Sequence, residues 1–531
     1  MSSATSSEQS RTNFILFLAS FLTLIAAGIG FGVRGGVLGD WSAQFGFTKS
    51  ELGGISGGGL VGFGVTIIIC SIFADHLGYK PLMFAAFVLH VTSAIVTLAA
   101  TPVYAALGKD ATYWCLWSGM FMFALGNGLC ETVINPLVAT LYPNQKTHYL
   151  NILHAGWPGG LIIGGIIGYL FVGDGAAVSH LRWEIPLGLF LVPTLAYGLM
   201  MIKEKFPISE AKAAGVKVGD MVGEFLSPVL LGLLVLHAMV GYVELGTDSW
   251  ITNIMQNTIK GKEMLLFIYT SALMFVLRFF AGPIVEKINP VGLLCLSGVL
   301  GCVGLFSLGA ATTGLMIFIA ATVYGIGKTF LWPTMLGVVG ERFPKGGALT
   351  MGFMGGIGML SAGLLGGPGI GYKQDYYASA KLQELDKDAY ELYKSEHQNS
   401  FLVFPAISGL DGQKVKVVSD GAKELNETLA ILEKDSAANA KLKDDVQGLK
   451  KWWDEKAQER SAKDKANVEE AGIYGGRMAL KWTAAVPAAM AVGYLLLLMY
   501  FASQGGYQVA VLHGQKPEGE RYTGGVEGPV E

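Results

Sequence analysis

The stretch Ser71-Ile-Phe-Ala-Asp75-His76-Leu77-Gly78-Tyr79-Lys80-Pro81 is a short polar turn between two apolar runs, about 50–74 and 80–101. Each run has the roughly 20 residues that a helix needs to cross a bilayer. The turn therefore reads as a loop joining two transmembrane helices. Working outward, ten further runs qualify, at about 13–38, 112–141, 149–172, 184–202, 225–256, 264–287, 289–311, 313–341, 347–372 and 477–502. In chain order the fourth, seventh and tenth exceed the needed length, which predicts tilt or extension past the lipid. The first run is too long for a signal-peptide core and is expected to stay as a helix.

Composition agrees. Only 15% of the 531 residues are charged and 52% are apolar, with a mean hydropathy of +0.46, whereas soluble domains carry about 25% charge. Glycine, 73 residues, is about twice its usual share, but no G-X-Y period exists and the apolar content excludes disorder. The charge is unevenly spread: 36 of the charged side chains fall in 373–475. The chain thus reads as an all-α polytopic membrane protein of twelve helices with one polar, helical extramembrane insert between the eleventh and twelfth. Within the insert, Leu425, Leu429 and Leu432, then Leu442, Val446, Leu449 and Trp453, recur at helical spacing, predicting amphipathic helices. A net charge of −3 gives no reason to expect a nucleic-acid partner.

Short-loop Lys and Arg decide orientation. With the N-terminus inside, the inner segments hold twelve and the short outer loops five. Both termini are then expected in the cytoplasm, in a plasma or inner membrane, with 373–475 outside. Gly126-Asn127-Gly128, Asn135-Pro136 and Tyr142-Pro143 are echoed about 200 residues later by Gly325-Ile326-Gly327, Trp332-Pro333 and Phe343-Pro344. Such parallel repeats build transporters from two six-helix halves. The expected units are an N-terminal half 1–202, a linker 203–224, a C-terminal half 225–502 containing the insert, and a tail 503–531. Glycines crowd 53–64, 156–168 and 355–371, so segments two, five and eleven should sit at close helix–helix contacts.

The opening stretch resembles the G-x-x-x-D-(R/K)-x-G-R-(R/K) signature of the major facilitator superfamily, with Ser71, His76 and Tyr79 as departures. A degenerate copy runs from Arg278 through Gly282 to Glu286-Lys287. The resemblance implies an inner gate latched around Asp75, Gly78 and Lys80, with Arg278 near the inner face. A finer resemblance, carried by Gly126-Asn-Gly-Leu-Cys-Glu131-Thr-Val-Ile-Asn135-Pro136, Leu150-Asn151, Trp332-Pro333-Thr334 and Tyr242-Val243 with Trp250, is to the fucose permease branch. It implies a sugar:proton symporter in which Glu131 takes part in coupling. That branch has a helix-one carboxylate where this chain has Arg34-Gly35.

Charges inside a membrane are rare because each costs on the order of 3 kcal/mol on insertion scales. Here they are Arg34, Glu131, Glu244, Asp248, Arg278 and Lys328. Asn127, Glu131 and Asn135 follow at four-residue steps and share a helix face. Protonation relieves the cost of burying a carboxylate, so Glu131 is a proton carrier or a sugar-hydroxyl acceptor; the competing reading is a salt bridge to Lys328. Glu244 and Asp248, one turn apart, are further proton or sodium coupling candidates, although Asp248 can equally be a solvated helix end. Thr322-Val-Tyr-Gly-Ile-Gly327-Lys328-Thr329 is not a phosphate loop, because the first glycine and the preceding strand are missing.

A neutral sugar would be held by Asn127, Asn135, Gln256, Asn257, Trp250, Trp332 and His154, and an organic anion or sugar acid by Arg34 and Lys328, since arginine recognises carboxylates bidentately. The leading expectation is a secondary active transporter of a sugar-like solute, coupled to a proton or sodium, working by alternating access as a monomer in the lipid bilayer. The alternatives are an organic-anion transporter on the same fold and a non-transporting sensor with an outer domain. With no HExxH and no G-x-S-x-G standing at a strand–helix elbow, no enzyme, metal or cofactor is expected.

Overall fold

The computed structural model describes residues 2–47, 49–172, 176–256, 263–396, 398–434, 440–510 and 512. Among them there are helices and turns but no strand longer than isolated bridges. Among the described residues eleven helices are long and apolar enough to cross a membrane. We number the bundle helices α1 (Gln9–Gly36), α2 (Leu52–Leu77), α3 (Tyr79–Leu98), α4 (Ala100–Leu141), α5 (Lys146–Phe171), α6 (Glu184–Lys203), α7 (Pro228–Ile251), α8 (Met264–Arg278, an apolar helix too short for that count), α9 (Ala281–Ala310), α10 (Gly314–Arg342), α11 (Pro344–Leu385) and α12 (Ser461–Thr483, continued by Ala485–Ser503).

The eighth segment does not run straight. Phe279 and Phe280 make i→i−3 bonds to Val276 and Leu277, and the helix restarts at Ala281. Pro283 two residues later cannot donate to the preceding turn, which accounts for the break. The tight reversal comes at Asn289, φ 55°, inside α9, where its Oδ1 accepts from the Gly292 N–H at 3.0 Å. The α2–α3 reversal is made the same way by Gly78, φ 85°. Both turns combine a positive φ with an extended ψ, 159° at Gly78 and 168° at Asn289, backbone that Gly enters freely and that other residues hold only where the surroundings impose it.

α1 packs on α5, and α3 and α2 on α4; α9 packs on α10 and α12. The N- and C-terminal sets meet along α2–α11 and α5–α8. Glycines make these approaches close, as segments two, five and eleven predicted. A Cβ on Gly28 would lie 2.8 Å from the Gly160 Cα, and one on Gly64 would lie 2.9 Å from the Gly356 carbonyl oxygen. α7 and α11 each carry a π-helical turn, Tyr242–Gly246 and Ala362–Gly366. The two turns face each other, with a Gly246 Cβ position 2.8 Å from the Gly366 Cα.

Past its apolar part α11 continues to Leu385 and α12 begins at Ser461, so the two pair as a stalk. Residues 386–460 form a small helical unit on it, with helices Lys387–Tyr393, Gly412–Asp420, Lys423–Lys434 and Ala440–Trp452. Its own core contains Leu382, Tyr393, Val417, Leu425, Trp453 and Val468. Leu425, Leu432 and Trp453 are buried, and Val446 and Leu449 pack against that core; the side chain of Leu442 is outside the described residues. At the opposite end of the bundle, the 203–224 linker packs through Ala211 and Met221 on Leu349. We call these ends the insert face and the linker face.

Candidate functional site

Midway along the bundle the expected charges gather, though not with the expected partners. Glu131 on α4 is 5% exposed and its Oε2 accepts from Asn135 Nδ2 at 2.6 Å. Asn135 Oδ1 lies 2.9 Å from His154 Nε2 on α5. Since the amide nitrogen faces the carboxylate, the oxygen takes the imidazole N–H, which fixes His154 as the Nε2–H tautomer. The chain His154–Asn135–Glu131 thus points its donors at the carboxylate.

Arg278 closes the site from the C-terminal set. It is fully buried; its Nη1 donates to the His154 carbonyl at 2.6 Å, its Nε to the Thr329 carbonyl at 2.8 Å, and its Nη2 to Glu244 Oε1 at 3.1 Å. One guanidinium therefore ties α5, α7, α8 and α10 together, within Coulombic reach of Glu131. The loop position expected for Arg278 is corrected: the copy of the turn lies at Glu286–Asn289, and Arg278 is more than two helical turns before it. Lys328 does not reach Glu131. Its Nζ donates to Asp248 Oδ1 and Oδ2 at 2.5 and 2.7 Å, which also corrects the reading of Asp248 as a solvated helix end.

Beside this network His237 is fully buried with neither ring nitrogen partnered among the described residues. Its ring lies 4.6 Å from that of Trp332, and a side chain at Gly358 would meet both. Glu244 Oε2 is likewise buried without a donor. Such open polar positions, lined by one indole, are what a hydroxylated solute needs. Asn127 has turned away: its Oδ1 lies 3.1 Å from His90 Nε2 on α3. Four-residue steps advance about 40° each around a helix, so a stripe of three residues fans over about 80° and two neighbours share it. Arg34 sits in the N-terminal set, stacked over Phe123 and Phe190 at 3.8 and 4.8 Å. Trp250 donates to the Gly367 carbonyl at 2.9 Å and holds α7 to α11 near the insert face. Asn257 and the Gln256 side chain are outside the described residues.

The residues of the quoted stretch are on the linker face. Asp75 Oδ2 accepts from the Ala348 N–H at 3.0 Å and so caps the helix Gly347–Ser361 of the other set. Lys80 donates to the carbonyls of Ile202 and Glu204 at 2.8 and 3.0 Å. Asp75 and Lys80 therefore cap two different helices. Alongside, Thr147 donates through Oγ1 and N–H to Glu341 Oε1, at 2.6 and 3.1 Å, and Lys146 pairs with Glu210 at 2.6 Å. Glu341 and Lys146 are buried; Lys146 reads as a loop charge in the sequence, and Glu341, the last residue of the run 313–341, is absent from the intramembrane charges singled out there.

A family model described as Major Facilitator Superfamily matches residues 16–367. The chain belongs to the major facilitator superfamily. Among curated protein sequences no relative matches. Among solved structures the chain is similar to the proton:xylose symporter XylE bound to 6-bromo-6-deoxy-D-glucose, with a TM-score of 0.58, 14% identity, and coverage of 72% of this chain and 91% of that one. It is similar to the E. coli fucose:proton symporter FucP, with a TM-score of 0.55, 16% identity and coverage of 69% and 93%. A bacterial homolog of the human lysosomal transporter Spinster, inward-facing and unoccupied, gives 0.57 and 15%, covering 93% of this chain and 98% of that one. These likenesses show the fold, and the family match with the apolar helices makes the chain a multi-pass integral membrane protein.

Proposed function

We propose that the chain is a secondary active transporter that moves a sugar-like small solute by alternating access, with a proton as the coupled ion and Glu131 as its carrier. One observation carries this reading. Of the three mid-membrane carboxylates, Glu244 is paired with Arg278 and Asp248 with Lys328, whereas Glu131 has only the neutral Asn135 as partner among the described residues. A compensated carboxylate gains little from a proton. One with no direct ion pair gains more, because protonation removes a buried charge that only a more distant cation offsets.

Arg278, which holds both helix sets, is within Coulombic reach of Glu131 without pairing to it, so the protonation state of Glu131 acts on the contact that alternating access must remake. Substrate hydroxyls are assigned to the open polar atoms of His237 and Glu244, with Trp332 as the stacking face. The sugar symport named for XylE and FucP supports this assignment by analogy of fold. Lys328 is withdrawn as an anion binder, since Asp248 already neutralises it.

The test is uptake in proteoliposomes with an imposed proton gradient across a panel of sugars and sugar acids. Glu131→Gln is expected to abolish gradient-driven accumulation while leaving counterflow exchange. Accumulation at the wild-type rate in that variant overturns the coupling role.

A further inference from the structure

Three cations on the bundle helices, Arg34, Arg278 and Lys328, are buried, and two of them have carboxylate partners among the described residues. The third, Arg34, does not. It is 3% exposed; Nη1 donates to the Gly30 carbonyl at 3.3 Å, and Nε and Nη2 meet no acceptor among the described residues. The two aromatic faces that flank it, at 3.8 and 4.8 Å, offset only part of the cost of burying an unpaired ion.

A second group nearby has the same deficit. Asn127, 1% exposed, gives its Oδ1 to His90 and leaves Nδ2 unpartnered. His90 is fixed on its other side by the Tyr197 hydroxyl at 2.9 Å, and its ring lies 5.5 Å from that of Phe123, the ring on which Arg34 stacks. Around Phe123, then, a full positive charge and three unfilled N–H donor groups collect, with no carboxylate. A cluster of donors without acceptors selects an anion.

Its place along α4 adds a constraint. Asn127 is one turn, about 6 Å, from Glu131, which is roughly the length of a hexose ring. We propose that Arg34 and Asn127 form a carboxylate subsite at one end of the substrate path, so that the transported solute is a hydroxylated monocarboxylate of sugar-acid size. Its carboxylate lies on Arg34 and Asn127, and its hydroxylated body runs along α4 toward Glu131 and the open polar atoms of His237 and Glu244 assigned above. The inference rests on the transporter reading above and narrows its substrate class.

Binding is measured on the purified full-length protein in detergent, by thermal unfolding and competition with sodium glucuronate, glucose and sodium chloride at matched ionic strength. Glucuronate is expected to bind at least tenfold tighter than glucose. Arg34→Gln is expected to erase that preference, and Arg34→Lys to keep part of it. If Arg34→Gln does not fold, Asn127→Ala is expected to weaken glucuronate severalfold in the same assay. Equal affinity for glucuronate and glucose, or a preference that survives in the Arg34 and Asn127 variants, overturns the subsite. Chloride competing as well as glucuronate also overturns it, in favour of a resident inorganic ion. Glucuronate that binds but is never accumulated counts against transport and leaves the subsite standing.

Discussion

At Arg278 a single side chain joins helices from both sets, and its removal tests how that joint is built. Arg278→Met leaves Glu244 as an uncompensated buried carboxylate, a loss of about 3–5 kcal/mol by the usual cost of breaking a buried pair. Glu244→Gln with Arg278→Met removes both charges and is expected to recover a large part of the stability. A thermal-unfolding double-mutant cycle in detergent measures this; a double variant no better than Arg278→Met would show that the backbone bonds to His154 and Thr329, not the ion pair, carry the joint. The sequence identified the charged residues but not their pairing. Glu244 and Asp248 lie in and just beyond the π turn Tyr242–Gly246, which widens the helix there. One meets α8 and the other α10, and neither periodicity nor spacing at 3.6 residues per turn encodes that.

Among the elements, the glycine-rich helices were legible because close packing in lipid requires small residues. The break at Phe279-Phe280 was not, since that pair reads as uninterrupted apolar helix, whereas the reversal at Asn289 falls at the expected boundary between the runs 264–287 and 289–311. The facing π turns make a sharp test. A side chain on Gly246 has no room before the Gly366 backbone, so Gly246→Val is expected to force α7 and α11 apart and to abolish transport while membrane insertion persists. Wild-type uptake in that variant would mean the two turns are not in contact.

The insert provides an acid-sensitive element. Asp386 caps the helix Lys387–Tyr393 by accepting from the Ala389 N–H at 3.0 Å, and binds Lys463 Nζ at 2.7 Å and Arg460. The Lys463 ammonium, then the Ala389 N–H, hold its carboxyl down to about 2, against about 3.9 in an unfolded chain. A depressed folded value means the contribution is complete above the unfolded value and is lost as pH falls from about 4 to 2. Limited proteolysis of the insert should rise over that window, and Asp386→Asn should flatten the rise. Asp386→Ala should also cost about 1 kcal/mol as a lost cap at any pH.

For the whole molecule, alternating access requires that one face open while the other closes, and here the linker face is held by bonds between the two sets. Glu341 is the node. Its Oε1 takes two donors from Thr147 of the N-terminal set. Its Oε2 takes the Tyr507 hydroxyl at 2.7 Å, and its carbonyl accepts from Ala510 N–H at 2.8 Å, while Arg342 binds the Gln508 carbonyl. The chain after α12 thus folds back onto the end of α10. Hydrogen bonds to a charged group are worth about 1.5–3 kcal/mol each, and a loss of about 2.8 kcal/mol shifts a two-state ratio by roughly a hundredfold. Glu341→Ala is therefore expected to populate the state open at the linker face. Truncation after Ser503 should shift it less, because the Thr147 bonds remain. Spin labels on the exposed positions His76 and Lys345, in a background without the five cysteines, read this as a longer distance population. The order wild type, truncation, Glu341→Ala should be graded. Identical distributions in all three would show that the node closes nothing, and that Asp75 on the N-terminus of Gly347–Ser361 holds the face by itself.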